Sequence, residues 1–406
     1  MNLRHIPFHR PSIGQEEIDE VTSTLRSGWL TTGPRTAQFE REFREYLGVP
    51  NALAVNSCTA ALHLALCALH LGPGTEVITT PLTFCASVNV ILHTGATPVL
   101  ADVSPDGNLD PESVASLITE RTRAILPVHL AGLPADMSAI WSLARRHRLL
   151  VIEDCAHAVG AHYRGWPIGA GNPESGDYSD AAAFSFYATK NLTTGEGGMV
   201  TTHREDLAER MKVLCLHGIS KDAWNRYSDK GNWYYEVLAP GFKYNLSDLQ
   251  SAIGIHQLRK LEAFTETRTR YAGLYNRLLA DVDEVELAPD KPDCRHAWHL
   301  YMLRLHLEKL DINRAEFISL LRDRGVSTSV HFIPIPLHPF FAPFLQDGQN
   351  HTPAALQLYP RLVSLPLFPA MTEEDVVYVA EAVKDIIHET RKTKTFAISS
   401  AGGSTT

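Results

Sequence analysis

Short apolar runs alternate with helix-like segments along the first half of the chain, and this alternation constrains the fold more than any other feature. Runs typical of buried strands occur at residues 53–57, 76–80, 96–103, 123–130 and 149–156. Segments with helical apolar spacing, such as "FCASVNVILHTG" and "MSAIWSLARRH", lie between them. Two further strands are predicted at "AAAFSF" and "GGMVTT". Strands that alternate with helices indicate an α/β fold with a mostly parallel central sheet between helices.

The second half of the chain has a different organisation. A helical pattern extends over residues 246–279, and strand-like and helical segments follow it up to "EEDVVYVAEAVKDII". This order is typical of an α+β unit. We therefore expect a second, smaller C-terminal domain from about residue 265.

Composition excludes several classes of protein. The net charge of −9, without a basic block, disfavours nucleic acid as a partner. None of the six cysteines forms a C-x-x-C pair, so a reduced protein fits better than a disulfide or zinc framework. The N-terminal residues lack an apolar core of signal-peptide length, and no segment approaches the length of a membrane span. We expect a cytoplasmic protein without a metal site.

The stretch "FSFYATKNLTTGEGG" places Lys190 where a strand-like segment gives way to a turn. A lysine on a surface turn is common and usually carries no function. Aromatic residues crowd this one in the sequence, and burial would remove the charge of its ammonium group. A neutral amine is a nucleophile towards carbonyl carbon.

Asp154 follows directly after the apolar run "LLVIE". Open α/β sheets bind ligands at the carboxyl ends of their strands, although Asp is also a good N-cap for the next helix. His157, three residues later, fits either beside such a ligand or as an ordinary polar core residue. These alternatives stay open on position alone.

The turn "NSCTAALHLAL" places Asn56, Ser57 and Thr59 before an apolar helix. Free amides and hydroxyls at a helix N-terminus bind anions, but simple capping explains most such turns. The turn matches neither a P-loop nor a G-x-G-x-x-G motif. Together these groups specify one ligand, pyridoxal 5′-phosphate (PLP). The Lys190 amine suits its aldehyde, the turn with Thr59 suits its phosphate, and the Asp154 carboxylate suits its ring cation.

The chain resembles the DegT/DnrJ/EryC1/StrS family of PLP-dependent sugar aminotransferases. The resemblance spans roughly residues 6–388 and rests on "SGWLTTGP", "NSCTAALHLAL", "TPLTF", "IEDCAHAVGA", "FSFYATKNLTTGEGGMV", "PGFKYNLSDLQSAIGIHQL", "HAWHLYMLRL" and "SLPLFPAMT". It implies PLP-dependent fold type I, as in aspartate aminotransferase. "EDCAHAVG", "PGFKYNLSD" and "HAWHLY" are most similar to the UDP-4-amino-4-deoxy-L-arabinose and pseudaminic-acid precursor branch, which aminates C4.

The resemblance also assigns site residues. It implies that Lys190 forms the Schiff base, that Asp154 pairs with the pyridine nitrogen and that His157 binds the ring hydroxyl. It implies further cofactor contacts from Phe84 (ring stacking), from Thr59, Ala60 and Ser185 (phosphate), and from Lys243 or Asn245 (the phosphate of the neighbouring subunit). It implies that Trp29, Thr31 and His331 line the sugar side of the pocket. Many relatives have Asn-aromatic-Arg where this chain has Lys243-Tyr244-Asn245, so which of the two residues crosses over is open.

The implied organisation has four regions. Residues 1–35 line the active site, residues 36–264 form the large PLP-binding domain, residues 265–388 form the small domain and residues 389–406 form a disordered tail. The resemblance also implies a homodimer with shared active sites.

The implied activity is ping-pong transfer of an amino group from L-glutamate to C4 of a nucleotide-linked, UDP-type 4-keto sugar. Two alternatives remain: a C3-aminotransferase acting on a dTDP- or GDP-keto sugar, and a non-catalytic regulator that binds PLP or a sugar nucleotide. A related PLP dehydratase is disfavoured, because such enzymes carry His at the position of Lys190.

Overall fold

The computed structural model describes residues 4–220, 234–344 and 352–392. The helices of these residues are α1 (Gln15–Ser27), α2 (Pro34–Leu47), α3 (Cys58–Ala68), α4 (Ala86–His93), α5 (Pro111–Leu117), α6 (Met137–His147), α7 (Glu205–Cys215), α8 (Asp248–Leu279), α9 (Arg314–Asp323), α10 (Pro353–Leu358) and α11 (Glu373–Thr390). The strands are β1 (Asn51–Val55), β2 (Glu76–Thr79), β3 (Thr97–Leu100), β4 (Thr122–Leu126), β5 (Leu150–Asp154), β6 (His162–Tyr163), β7 (Trp166–Pro167), β8 (Ala181–Ser185), β9 (Gly198–Thr202), β10 (Val285–Glu286), β11 (Cys294–Arg295), β12 (Tyr301–Leu305) and β13 (Leu362–Leu365).

A seven-stranded sheet of order β1-β9-β8-β5-β4-β2-β3 forms the centre of the fold. Its neighbouring strands are parallel from β8 across to β3, while β9 pairs antiparallel with both β1 and β8. Because six strands therefore point the same way, their carboxyl ends meet at one edge of the sheet, where ligands bind in open α/β folds. The predicted α/β class with a mostly parallel central sheet is confirmed.

Successive residues of each strand face opposite sides of this sheet, as the pleat requires. Ala54, Val151 and Phe184 pack into the core beneath α2, α6 and α8. Their neighbours Val55 and Ile152 pack into the core beneath α3 and α7. Strands buried on both faces read as continuous apolar runs, which is why the sequence shows the sheet so clearly.

The long helix predicted over residues 246–279 is α8, and it links two hydrophobic cores. Leu261 packs into the core of the large sheet, and Tyr271 packs into a second core under a three-stranded sheet of order β10-β12-β13. The predicted domain boundary at residues 264/265 falls inside this single helix, and the division into domains stays a prediction.

Residues 326–332, which belong to the predicted α+β unit, contain only isolated bridges, Ile6 with Val326 and Ser329 with Ser364. The first residues of the tail predicted for residues 389–406 are ordered, because α11 continues to Thr390 and Arg391 binds Glu284 (Nε–Oε1 2.7 Å). Residues 393–406, the rest of that predicted tail, lie outside the described residues.

The helices of residues 4–220, 234–344 and 352–392 include none that is both long and apolar enough to span a membrane.

Candidate active site

A cavity of about 410 Å³ opens at the carboxyl edge of the central sheet. Asp154 ends β5 and Ser185 ends β8, and both line the cavity. The start of α3 follows β1, and the start of α4 follows the turn after β2, so each contributes residues to the wall. This is the position at which open α/β sheets bind ligands, and the volume suits a small organic molecule.

Lys190 lies in the loop between β8 and β9 and lines this cavity. Its N–H donates to the Tyr187 carbonyl (2.9 Å), and Phe186 anchors the loop by contacting Phe39 and Phe43 (ring centroids 5.3 and 5.6 Å). Burial lowers the pKa of the Lys190 amine to about 8, although Cys58 and Asp154 act in the opposite direction. The amine is therefore partly neutral near pH 7–8 and can act as a nucleophile or base.

Asp154 is buried at the floor of the cavity. Its Oδ2 accepts a hydrogen bond from the Ser87 hydroxyl (2.8 Å), and its Oδ1 accepts one from the Ala156 N–H (3.0 Å). Burial raises the pKa of Asp154, while these hydrogen bonds and Lys190 act to lower it. The protein alone does not fully offset the cost of burying this carboxylate, so a cationic ligand group would be stabilised beside it.

The N-terminus of α3 forms one side of the cavity. Ser57 is the N-cap, and its hydroxyl accepts from the Ala60 N–H (3.0 Å). Ala60 itself does not line the cavity, whereas Ser57, Cys58 and Thr59 do. The first N–H groups of a helix have no intrahelical acceptor and attract anions. Ser185 lines the same cavity, so an anion there could also meet its hydroxyl.

Three residues that the resemblance assigns to the site, His157, His331 and Phe84, line the cavity. The Ala131 N–H donates to Nδ1 of His157 (3.3 Å), so Nε2 carries the proton of the neutral ring. Burial lowers the pKa of His157 well below its usual value and lowers the pKa of His331 to about 4. His157 is therefore a neutral hydrogen-bond donor through Nε2 at pH 7.

Besides Ala60, four residues assigned from the sequence lie outside the cavity wall. Trp29 donates through Nε1 to the Thr32 carbonyl (3.1 Å), and the Thr31 carbonyl accepts from the Asp248 N–H (3.1 Å). Lys243 donates to Asn245 (Nζ–Oδ1 2.5 Å). Asn245 in turn donates to the Thr32 hydroxyl (2.7 Å), so these segments form one connected surface. Asn56 also lies outside the wall and donates to the Lys243 carbonyl (3.2 Å).

Several cavity residues were not found from the sequence. Ser87 and Cys58 approach Asp154, and His299 and Phe332 pack against His157 with ring centroids 4.4 and 5.7 Å away. His299 belongs to "HAWHLY", a motif that resembles the family but does not by itself indicate a role for this histidine. Ser87 lies in the first turn of α4, three residues after Phe84 in the chain. Nothing in the local sequence indicates its contact with Asp154.

A buried histidine–carboxylate pair lies behind Asp154. His129 and Glu153 are 3.0 Å apart (Nε2–Oε2), with Cys155 close by. Nδ1 of His129 accepts from the Ala135 N–H (3.1 Å), so Nε2 carries the proton and donates to Glu153. This tautomer cannot offer Nε2 to a metal ion. The pair is better described as a support for β5, because the His129 N–H also donates to the Asp154 carbonyl (3.2 Å).

The residues of the cavity fit PLP. A nucleophilic amine at Lys190 suits the aldehyde, an under-compensated buried carboxylate at Asp154 suits a pyridinium nitrogen, and the N-terminus of α3 suits the phosphate. The Nε2–H of His157 supplies a donor for a ring oxygen. These groups differ in kind and line one cavity, so the match does not depend on any single residue.

The fold and the site define a PLP-dependent aminotransferase. The chain belongs to the DegT/DnrJ/EryC1/StrS aminotransferase family, which it matches over residues 11–384. Members of this family that share its structure are PLP-dependent sugar aminotransferases, so the predicted PLP fold type I and the predicted cofactor are both confirmed.

Individual relatives are similar over nearly their whole length. The spore coat polysaccharide biosynthesis protein SpsC of Bacillus subtilis is 49% identical over 384 residues, which cover 94% of this chain and 97% of SpsC. The putative sugar aminotransferase Spr1654 of Streptococcus pneumoniae, solved in PLP and PMP forms, superimposes in its PMP form with a TM-score of 0.88 (33% identity, 95% of this chain, 100% of that chain). PseC of Helicobacter pylori, an aminotransferase involved in the biosynthesis of pseudoaminic acid, gives a TM-score of 0.86 (31% identity, 95% and 100% coverage).

Proposed function

We propose that the protein transfers an amino group from L-glutamate to C4 of a nucleotide-linked 4-keto sugar, with UDP as the nucleotide, by a ping-pong mechanism. The observation that carries the proposal is that Lys190, Asp154 and the N-terminus of α3 face one cavity. The motifs around residues 153–160 and 240–248, which resemble the C4-aminating branch of the family, favour C4 over C3.

The bound PLP would accept the amino group from the donor, delocalise the negative charge that develops at the reacting carbon, and pass the amino group to the keto sugar. Lys190 is the group that moves protons. Burial lowers the pKa of its amine to about 8, close enough to neutral pH for general acid–base catalysis. Because it is tethered in the cavity wall, it reaches both the donor and the acceptor without diffusing.

The other residues of the cavity would bind and orient PLP. Asp154 keeps the pyridine nitrogen protonated, since a buried carboxylate beside a cation favours the charged form of both. His157 would donate a hydrogen bond from its Nε2–H to a ring oxygen of PLP. Thr59, Ser185 and the free N–H groups of α3 hold the phosphate. Phe84 covers one face of the ring, and its exposed position at the cavity mouth (60% exposed) leaves it free to contact a bound ligand.

We also propose a homodimer in which each active site is completed by the partner chain. Large apolar side chains lie exposed close to the cavity mouth and on the segment before Lys243, among them Phe84, Tyr187, Val237 and Leu238. Such a surface suits an obligate interface. In this arrangement Lys243 or Asn245, which do not line the cavity of their own chain, would reach the phosphate in the partner's cavity. Trp29, Thr31 and His331 would line the sugar side.

A cytoplasmic location belongs to the same proposal. All six cysteines lie within the described residues and are free thiols, which suits a reducing compartment.

The regiochemistry is tested by incubating the PLP-loaded protein with L-glutamate and matched UDP-linked 4-keto and 3-keto sugars, with mass spectrometry of the products. We expect a 4-amino sugar and 2-oxoglutarate. Parallel dTDP- and GDP-linked sugars test the nucleotide separately. Efficient amination of the 3-keto sugar alone would contradict the C4 assignment while leaving the aminotransferase chemistry intact. Position in the cavity decides the outcome, because the ketone carbon must lie within bonding distance of the transferred nitrogen.

The dimer is tested by sedimentation of the PLP-loaded protein. We expect one species at twice the monomer mass that is fully active. A PLP-loaded monomer with full activity would contradict the shared active site.

A further inference from the structure

Two hydroxyl groups lie in series behind the Asp154 carboxylate. The Ser87 Oγ is 2.8 Å from Oδ2 of Asp154, and the Thr83 Oγ1 is 2.8 Å from the Ser87 Oγ. An ionised carboxylate can only accept hydrogen bonds, so the Ser87 hydroxyl must donate to it. The Ser87 oxygen is then free to accept from Thr83. The charge on Asp154 therefore sets the direction of both hydrogen bonds: Thr83 donates to Ser87, and Ser87 donates to Asp154.

All three side chains are buried, with exposed fractions of 2% for Thr83, 1% for Ser87 and 4% for Asp154. Water is therefore poorly placed to replace either hydroxyl. The other acceptor near Ser87, the Phe84 carbonyl, is farther away at 3.4 Å. In such low-dielectric surroundings consecutive hydrogen bonds polarise and strengthen one another.

The remaining groups around Asp154 do not duplicate this contact. Its Oδ1 accepts from the Ala156 N–H at 3.0 Å and lies 3.9 Å from the Cys58 thiol. Lys190 and His129 also act on Asp154, and both lower its pKa. Cys155 is the further titratable neighbour, and its own pKa is raised well above the usual value. Within the described residues, Oδ2 has Ser87 as its only hydrogen-bond donor.

We propose that Ser87, supported by Thr83, is a positioning residue that keeps the Asp154 carboxylate ionised and oriented towards the pyridine nitrogen of PLP. The inference rests on the role of Asp154 in the proposed function and extends it to the segment that also carries Phe84. The segment that leads into α4 would then both cover the face of the cofactor, through Phe84, and fix its acidic partner, through Ser87.

The test is the affinity of the apoprotein for PLP, titrated by visible absorbance between pH 5.5 and 8, for wild type, Ser87→Ala and Ser87→Thr. Without the hydroxyl, Asp154 binds a proton at a higher pH, and the protonated acid cannot pair with the pyridinium. A hydrogen bond to a charged group corresponds to about a 10- to 100-fold change in an equilibrium. We expect Ser87→Ala to weaken PLP binding about 10-fold at pH 6, with the difference shrinking towards pH 8. Ser87→Thr should restore the wild-type profile, because it keeps the hydroxyl.

At each pH, the PLP affinity of a variant is divided by that of the wild type. This ratio removes the effect of Lys190 titration, because all of the proteins share it. Thr83→Val should shift the profile in the same direction by less, and should add nothing in the Ser87→Ala background, where the series is already broken. Additive effects of the two substitutions would contradict a series.

The matched control is Ser251→Ala. Ser251 is equally buried and also lies in a Thr–Ser–Asp cluster, with Thr36 Oγ1 3.0 Å from its hydroxyl and 2.8 Å from Asp248 Oδ1, but it is not in the cavity wall. The Ser251→Ala variant should lose about as much thermal stability as Ser87→Ala, and its PLP affinity should keep the wild-type pH profile.

The Asp154→Asn variant shows how much PLP affinity is lost when the carboxylate itself is removed. A wild-type profile for Ser87→Ala, together with weakened PLP binding by Asp154→Asn, would overturn the positioning role alone. Unchanged binding by Asp154→Asn would instead overturn the role of Asp154 in the proposed function, and the inference with it. Neither result depends on which sugar is the substrate.

Discussion

Gly198, the first residue of β9, lies directly against Ser57, the N-cap of α3. A Cβ atom on Gly198 would be 2.6 Å from the Ser57 carbonyl carbon and 2.7 Å from the Cys58 nitrogen. The strand therefore approaches the first turn of the helix more closely than any other residue type allows. This contact fixes the position of the α3 N-terminus relative to the sheet. It therefore also fixes the side of the cavity that suits an anion.

Gly198→Ala should consequently weaken PLP binding about 10-fold or more and lower the free energy of unfolding by about 1–3 kcal/mol, because the added methyl group meets backbone atoms. Fluorescence titration with PLP and urea unfolding measure the two effects. Gly273→Ala is the control: the nearest atom to its added Cβ is 3.6 Å away and it lies in a helix, so we expect equal or greater stability and unchanged PLP binding. Normal PLP affinity in Gly198→Ala would show that this contact does not position the helix.

Lys190→Ala should abolish turnover and the visible absorbance of covalently bound PLP, because no other amine lines the cavity among the described residues. Lys384→Ala is the comparison, since Lys384 lies on the surface in a pair with Asp281 (3.2 Å). That variant should keep both activity and absorbance. Amino transfer at the wild-type rate by Lys190→Ala would refute the assignment.

His157→Gln should retain most of the activity, whereas His157→Ala should lose about 10-fold or more in kcat. The reason is that the Nε2–H of His157 is a neutral donor, a role that a Gln amide can also fill, and a hydrogen bond to a charged oxygen contributes about 1.5–3 kcal/mol. The measurement is kcat for both variants, with the absorbance spectrum of bound PLP as a second observable. Equal losses in the two variants would argue for packing instead of hydrogen bonding.

Stability should fall as the pH drops below about 6.5. Burial lowers the pKa of His296 to about 3, so between pH 6.5 and 3 the unfolded chain binds a proton there that the folded chain does not. One such group reduces the free energy of unfolding by up to about 1.4 kcal/mol per pH unit in this interval. Urea unfolding of the apoprotein at pH 7, 6 and 5 gives the slope, and His296→Gln should make it shallower. An unchanged slope in that variant would assign the pH dependence to other groups.

The sequence predicted the central sheet well because each strand is buried on both faces and therefore stands out as an apolar run. The strands of the sheet β11-β6-β7 were not predicted, because two-residue strands carry no periodicity. Residues 326–332 include the β-branched Val326, Thr328 and Val330, but within this segment only Val326 and Ser329 form bridges. Tertiary pairing, which the local sequence does not contain, decides such cases.

The site shows the same limit. Asp154 and Ser185, the last residues of β5 and β8, were assigned from local sequence or resemblance, and both line one cavity. Ser87 contacts Asp154 and His299 contacts His157, residues far away in the chain, and no spacing rule reveals such contacts. Lys243 and Asn245 lie outside the cavity wall, so their assigned role depends on a second chain.

The helix α8 contains 32 residues and is therefore about 48 Å long. Its first half belongs to the core of the large sheet and its second half to the core around β12. Neither core can lose this helix without exposing apolar surface of its own. We therefore expect the two cores to melt together, as a single calorimetric transition whose van't Hoff and calorimetric enthalpies agree. Two separate transitions in the apoprotein would show that the helix can break in the middle, between residues 261 and 271.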